Sequence, residues 1–191
     1  MHTIKSYAHL VGTLSGFESS LIEDHLKLYE GYVKKYNEIC EALATVEKKG
    51  NYSYAPHSEL VRRKSVAWNG TKLHELYFDA LEPQGSGASR ELESALVKSF
   101  GSMDAWKQDL VACASATPGW VLLVNNRDRG VLEHYVAFEH ANNVPAGVDI
   151  LLALDCWEHA FARQYGINKP AYLDAFLAHM DLAAVSARLL R

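Results

Sequence analysis

Asp155 and His159 stand four residues apart in Asp155-Cys156-Trp157-Glu158-His159-Ala160-Phe161, directly after the apolar run Ile150-Leu151-Leu152-Ala153-Leu154. That run reads as a buried strand, and the segment after it reads as a helix. A carboxylate at a strand exit and an imidazole one helical turn on can point at one atom. Two further histidines on separate helices, His25 and His74, complete a set of three imidazoles and one carboxylate. This is a nitrogen/oxygen donor set for a first-row transition metal such as iron or manganese, with room for solvent or substrate.

The elements that must carry these residues differ between the two halves of the chain. From Phe17 to about Lys48 the apolar residues Leu21, Ile22, Leu26, Leu28, Tyr29, Tyr32, Val33, Tyr36 and Ile39 are spaced closer to a helical than to a strand period. Ser15 is a candidate N-cap, with Glu18 completing a capping box. A second helix, starting at Ser58 or Val66 and running through Leu81, carries His74. The stretch Pro83-Gln84-Gly85-Ser86-Gly87-Ala88-Ser89 reads as a linker. The expected organisation is therefore an N-terminal helical hairpin domain (1–84) and a C-terminal domain (85–191). The second half adds helices over Arg90–Phe100 and Met103–Ala114, the latter started by Ser102. Strand-like runs come next at Trp120–Asn125, Val131–Phe138 and Val148–Leu154, the first two joined by a hairpin-type loop. The chain closes with a helix from Trp157 to Tyr165, a stop at Gly166 and one last helix after Pro170. The fold class is α+β, with a three-stranded antiparallel sheet.

Composition narrows the function classes. A hydrophobic content of 49% supports a real core, and a net charge of −4 argues against nucleic acid as the main partner. No run of about eighteen apolar residues suggests a membrane span. The first six residues lack the apolar stretch of a secretory signal. Three widely spaced cysteines (Cys40, Cys113 and Cys156) argue against a disulfide framework and for a reducing, cytoplasmic setting. Cys156 lies beside a proposed ligand. It reads as a small buried core residue, with a fifth ligand or a redox role as the alternative. His2, His9, His57, His134 and His179 read as ordinary residues.

The Asp155–Ala160 segment resembles the iron/manganese superoxide dismutases. Three weaker segments occur in the expected order: Leu28-Tyr29-Glu30-Gly31-Tyr32-Val33 after His25, Trp68-Asn69-Gly70 ahead of His74, and Pro118-Gly119-Trp120. The resemblance spans Phe17 to about Met180. It implies that His25, His74, Asp155 and His159 bind one iron or manganese ion per subunit, with a water or hydroxide as fifth ligand. It implies superoxide as substrate and oxygen and hydrogen peroxide as products. Tyr32 matches the family's active-site tyrosine. His140, in Glu139-His140-Ala141-Asn142-Asn143-Val144-Pro145, matches the histidine that some members use to tune the site; Gly70 stands where another branch has a glutamine. Trp120 and Trp157 are expected to wall the site. Glu158 is expected to bond across a dimer interface to the partner's last ligand histidine, so that a homodimer or larger homo-oligomer forms. Lys169 matches a family arginine near the substrate entrance and is a candidate for steering the anion.

The chain also departs from the family pattern. In most relatives the tyrosine lies eight residues after the first ligand, with a histidine between them. Here Tyr32 is seven after His25, and Leu28 and Tyr29 fill the intermediate places. An irregular turn such as a π-bulge is one way to absorb the difference. The family's cross-subunit tyrosine is replaced by Ala162. The expected function is superoxide dismutase. The alternative is a dismutase-like protein that binds metal or a partner with weak catalysis.

Overall fold

The computed structural model describes residues 1–190. A single 3₁₀ turn (Ala8–Leu10) precedes two long helices, α1 (Ser19–Thr45) and α2 (Pro56–Phe78). Two shorter helices come next, α3 (Arg90–Phe100) and α4 (Met103–Ser115), then strands β1 (Trp120–Asn126), β2 (Val131–Ala137) and β3 (Asp149–Asp155). Helices α5 (Glu158–Tyr165), α6 (Lys169–Ala178) and α7 (Leu182–Leu189) end the described chain. The α+β expectation is met. Among the described residues no helix is long and apolar enough to cross a membrane.

Helix α1 buries Leu21, Ile22, His25, Tyr29 and Val33, a stripe of i, i+3 and i+4 steps that faces α2 and the rest of the core. His25, a candidate ligand, is one of these buried positions. The helix does not begin with the expected capping box. Its N-cap is Glu18, without a side-chain bond, and the Ser15 hydroxyl instead lies 3.0 Å from Nε2 of His179. The ring nitrogens of His179 also reach the carbonyls of Ser15 (2.8 Å) and Glu82 (3.1 Å). His179 is thus a structural pin between the start of the chain, the 82–86 turn and the end of α6. Ser102 does cap α4, accepting from the amide of Ala105 at 3.0 Å.

The sheet order is β2-β1-β3, antiparallel throughout. The central strand buries Trp120, Val121, Leu122, Leu123 and Val124 completely. Trp120 pairs with Asp155 on one side and Ala137 on the other, so the exit of β3 lies level with an indole. Gly119 makes the close approach possible. A Cβ there would sit 2.1 Å from the Ala137 carbonyl oxygen, and its own carbonyl accepts the amide of Cys156 at 2.7 Å. α2 packs on β3, and α1 packs on α5. These two contacts bring the four chemically interesting residues to one place.

The end of the chain differs from expectation. The single last helix is two, α6 and α7, because Asp181 starts a new one: its Oδ1 accepts from the amides of Ala183 (3.0 Å) and Ala184 (3.2 Å). The break is held open by the 82–86 segment, whose Glu82 and Ser86 amides donate to the carbonyls of His179 (2.9 Å) and Met180 (3.1 Å). Pro83–Ser89, linker-like in composition, is thus tied to the C-terminal helices.

His134 secures α4 to the sheet. The Trp106 indole N–H, which can only donate, gives its hydrogen to His134 Nε2 at 3.2 Å. Nδ1 must then carry the ring hydrogen and donate it to Asp109 Oδ2, 2.6 Å away. The ring also packs on Phe100, centroids 4.9 Å apart. Burial lowers the His134 pKa below 6.5, partly opposed by Asp109. A histidine with a lowered folded value binds fewer protons folded than unfolded. Its stabilising effect is therefore complete above about 6.5 and is lost as pH falls through the folded value. Urea unfolding should show stability falling below about pH 6.5, with a shallower fall in His134→Gln. Parallel curves for the two proteins would show that His134 is not the group responsible.

Candidate metal centre

α1 contributes His25, α2 His74, the end of β3 Asp155, and the first turn of α5 His159. One donor atom from each lies within 4.8 Å of the others. His25, His74 and Asp155 are buried, and the His159 side chain is 27% exposed. Asp155 is aimed by its neighbours. Oδ1 accepts the Trp157 amide at 2.9 Å, its carbonyl accepts the Tyr172 hydroxyl at 2.6 Å, and Oδ2 faces the three imidazoles. Nε2 lies 3.1 Å from Oδ2 for His25, 3.6 Å for His74 and 3.0 Å for His159.

The His74 ring fixes what this cluster is suited to hold. Its Nδ1 is 2.6 Å from the Gly70 carbonyl, which can only accept, so Nδ1 carries the hydrogen. In the neutral ring, Nε2 is then a bare lone pair. It is buried, has no hydrogen-bond partner, and faces a carboxylate oxygen. Two electron-rich atoms aimed at each other in a dry interior repel unless a cation lies between them. Donor atoms about 2.1 Å from a common ion and about 90–120° apart stand about 3.0–3.6 Å from one another. The donor set fits a transition-metal ion on both counts.

Protonation states agree with ligation. Burial pushes the His74 pKa down to about 3, helped by His25, and burial also lowers that of His25. Burial alone would raise the Asp155 carboxyl, but His159 and His25 outweigh it and hold the group far below the usual carboxylate range. Neutral imidazoles and an anionic carboxylate are the forms a metal requires.

Aromatic rings close the surroundings. Trp120 meets His74 edge-on at 5.1 Å, Trp157 stacks near His159 at 6.2 Å, and Tyr77 and Phe78 lie 5.0 and 4.9 Å from His25. His140 is buried beside them. The Trp120 indole donates to His140 Nδ1 at 2.9 Å, so Nε2 must carry the ring hydrogen. Nε2 therefore donates to the Tyr32 oxygen, 2.6 Å away, and Tyr32 keeps its own hydrogen for a third group. Burial raises the Tyr32 pKa and lowers that of His140, so both are neutral near pH 7.

Residues 88–188 match the description "Iron/manganese superoxide dismutases, C-terminal domain". The chain is 35% identical to the superoxide dismutase (Fe) of Aquifex aeolicus, over 98% of this chain and 92% of that protein. It is 33% identical to the superoxide dismutase (Fe) of Cupriavidus metallidurans (92% and 89%). It is 30% identical to superoxide dismutase (Mn) 2 of Haloferax volcanii (90% and 85%). The chain belongs to the iron/manganese superoxide dismutase family.

Within that family several details of this chain can be placed. α1 runs as uninterrupted α-helix, so no π-bulge separates His25 from Tyr32. Seven residues are about 20° short of two full turns, which keeps both side chains on one face. Tyr29, in the region where relatives carry the extra histidine, is buried. Its hydroxyl accepts the Lys5 amide at 3.0 Å and donates to Glu75 at 3.3 Å. The Lys169 ammonium donates to the carbonyls of Ala114 (2.7 Å) and Thr117 (2.8 Å), fastening α6 to the end of α4. Glu158 is exposed and lacks an intrachain partner among the described residues. Cys156 is a buried thiol whose pKa burial pushes up to about 12, the core residue that composition suggests. Asp109, Cys113 and His134 also cluster, but Trp106 keeps the hydrogen on His134 Nδ1 and so removes that lone pair from ligation.

Sequence reasoning does not reach two roles. The Tyr172 hydroxyl that holds the Asp155 backbone carries no motif. Gly70 does two jobs: its carbonyl sets the His74 tautomer, and its missing side chain makes room for Tyr32, because a Cβ there would lie 2.7 Å from the Tyr32 ring. Gly70→Ala should therefore lower unfolding stability by about 1–3 kcal/mol through overpacking. Gly31→Ala, at a helical site where a Cβ meets nothing, should raise stability by about 0.5–1 kcal/mol. Denaturation midpoints measure both, and equal shifts of one sign would contradict the packing argument.

Proposed function

We propose that this chain works as a superoxide dismutase in which His25, His74, Asp155 and His159 hold one iron or manganese ion. The observation that carries the ligand assignment is the bare, buried Nε2 of His74 facing the Asp155 carboxylate. When bound there, the ion would supply the one-electron redox chemistry that converts superoxide to oxygen and hydrogen peroxide.

The protein's own part is orientation, dryness and protons. Making peroxide from superoxide consumes two protons. The Tyr32 hydroxyl retains a hydrogen to donate because His140 already supplies the one its oxygen accepts. His140 is held in that tautomer by Trp120, so the relay from indole to imidazole to phenol has one direction. Trp120, Trp157, Tyr77 and Phe78 keep bulk water from the donor atoms, which strengthens every polar contact inside. A division into a helical hairpin (1–84) and an α/β part (85–191), with the ion joining them, belongs to this reading. So does a cytoplasmic setting, which suits three free cysteines. The weak-catalysis alternative draws support from Leu28, Tyr29 and Ala162, but the Tyr32–His140–Trp120 relay favours the enzyme.

Two substitutions separate the roles. Asp155→Ala should lower metal content at least about tenfold, because it leaves three imidazoles with no anion to balance the ion. His140→Ala should keep about one ion per chain and lose superoxide removal by about ten- to a hundredfold. Elemental analysis together with a superoxide-consumption assay reads both. Full metal and full activity in Asp155→Ala would end the ligand assignment.

The reading includes a two-fold dimer. Glu158 is exposed beside a half-buried ligand, and His159 makes no Nδ1 hydrogen bond within the described chain. Reciprocal bonds from each His159 to Glu158 of the partner subunit would satisfy both groups and orient the ring. Glu158→Ala should weaken the dimer and lower metal retention together. Sedimentation of the native protein as a monomer at micromolar concentration, with normal metal content, would refute the bridge.

A further inference from the structure

Glu75 follows the candidate ligand His74 directly, and its side chain is buried. A carboxylate in that position needs partners, and it draws them from both long helices and from the first residues of the chain. Oε1 accepts from Nε2 of His2 at 2.5 Å and from the Tyr29 hydroxyl at 3.3 Å. Oε2 pairs with Lys72, three residues earlier on α2, and with Lys5 at 3.6 Å. His2 is itself fixed to α1. Its amide donates to Asn37 Oδ1 at 2.8 Å, and its carbonyl accepts from Asn37 Nδ2 at 2.9 Å.

Of the bonds to Glu75, the one from Tyr29 joins α2 directly to α1. Tyr29 is four residues after His25, on the same face of α1. Its oxygen accepts the Lys5 amide at 3.0 Å, which leaves its own hydrogen for Glu75 and fixes the direction of the bond. The link therefore runs from one turn past His25 to the residue beside His74. Neighbouring residues on a helix point about 100° apart, so Glu75 can face α1 while His74 faces Asp155. Pinning Glu75 fixes the rotation of α2 about its own axis. A side-chain atom about 6 Å from that axis moves about 0.2 Å for a turn of about 2°, and about 0.2 Å is the tolerance of a metal–donor bond. The bond from His74 Nδ1 to the Gly70 carbonyl is internal to α2 and turns with it, so it does not resist such a rotation.

We propose that the Tyr29–Glu75 hydrogen bond is a brace that sets His74 against His25, with Tyr29 and Glu75 as positioning residues for the metal. The inference rests on the ligand assignment of His25 and His74. The effect of the brace falls on how long the ion is held and on the symmetry of its surroundings.

The test compares two equivalent deletions in protein loaded with iron or manganese. Tyr29→Phe removes the brace hydroxyl. Tyr7→Phe removes a second buried hydroxyl from an adjacent ring, centroids 5.8 Å apart. The Tyr7 bond to Asp79 Oδ1, at 2.7 Å, ties the first residues to α2 without reaching α1. The readouts are metal release into excess EDTA at neutral pH and the EPR spectrum of the bound ion, with urea unfolding for global stability. Tyr29→Phe should release metal roughly three- to tenfold faster than wild type, a factor in line with one lost hydrogen bond, and should shift the spectrum. Tyr7→Phe should lose comparable stability yet keep wild-type release and spectrum. Glu75→Gln retains an acceptor for Tyr29, while Lys5 and Lys72 are half-exposed and can turn to water. It should therefore hold metal nearly as wild type, whereas Glu75→Leu should release it at least as fast as Tyr29→Phe. Equal release from Tyr7→Phe and Tyr29→Phe, or wild-type release from Tyr29→Phe, would overturn the brace and leave the ligand assignment standing. A wild-type protein that binds neither iron nor manganese would overturn the assignment and the brace together.

Discussion

A fully buried carboxylate that stays ionised is the constraint on which the rest of this structure turns. Asp155 leaves β3 with no exposure to water. Isolated in such an interior it would protonate, because desolvation opposes the charge. Instead three imidazoles converge on Oδ2, while the Trp157 amide and the Tyr172 hydroxyl hold the rest of the residue still. Those imidazoles come from three different helices. The docking of α1 and α2 onto the sheet and α5 is thus also what gathers the four donor groups.

The same logic orders the tautomers around it. Each fixed donor or acceptor decides one proton: the Gly70 carbonyl for His74, the Trp120 indole for His140, and the Trp106 indole for His134. The results differ although the side chain is the same. His74 is left with a bare nitrogen facing the carboxylate and is suited to ligation. His140 is left with an N–H facing a phenol and is suited to a relay. His134 spends both nitrogens on packing α4 against the sheet. Residue type therefore does not determine role here; the partner on the other ring nitrogen does.

How much of the molecule is legible in its sequence depends on how local each signal is. The four clustered residues, the hydrogen-bonded pair Tyr32 and His140, and the three strands are readable because a motif or a short apolar run marks them. The end of the last helix is not, since Asp181 becomes an N-cap only once the 82–86 turn supplies donors to the carbonyls before it. Ser15 has the right spacing to Glu18 for a cap, yet His179, 164 residues away, takes its hydroxyl. The two carbonyls that hold the Lys169 ammonium are likewise visible only in the tertiary structure. In each miss a long-range partner displaces a plausible local one.

The departures in α1 form a single substitution of design. With seven rather than eight residues from His25 to Tyr32, a regular helix suffices to put both on one face. A regular helix also turns Tyr29 inward, where it binds Lys5 and Glu75 in place of guarding an entrance. The inward tyrosine ties the first residues of the chain to α2 one position from His74. The seven-residue spacing and the inward Tyr29 are thus compatible with one regular helix running without a bulge.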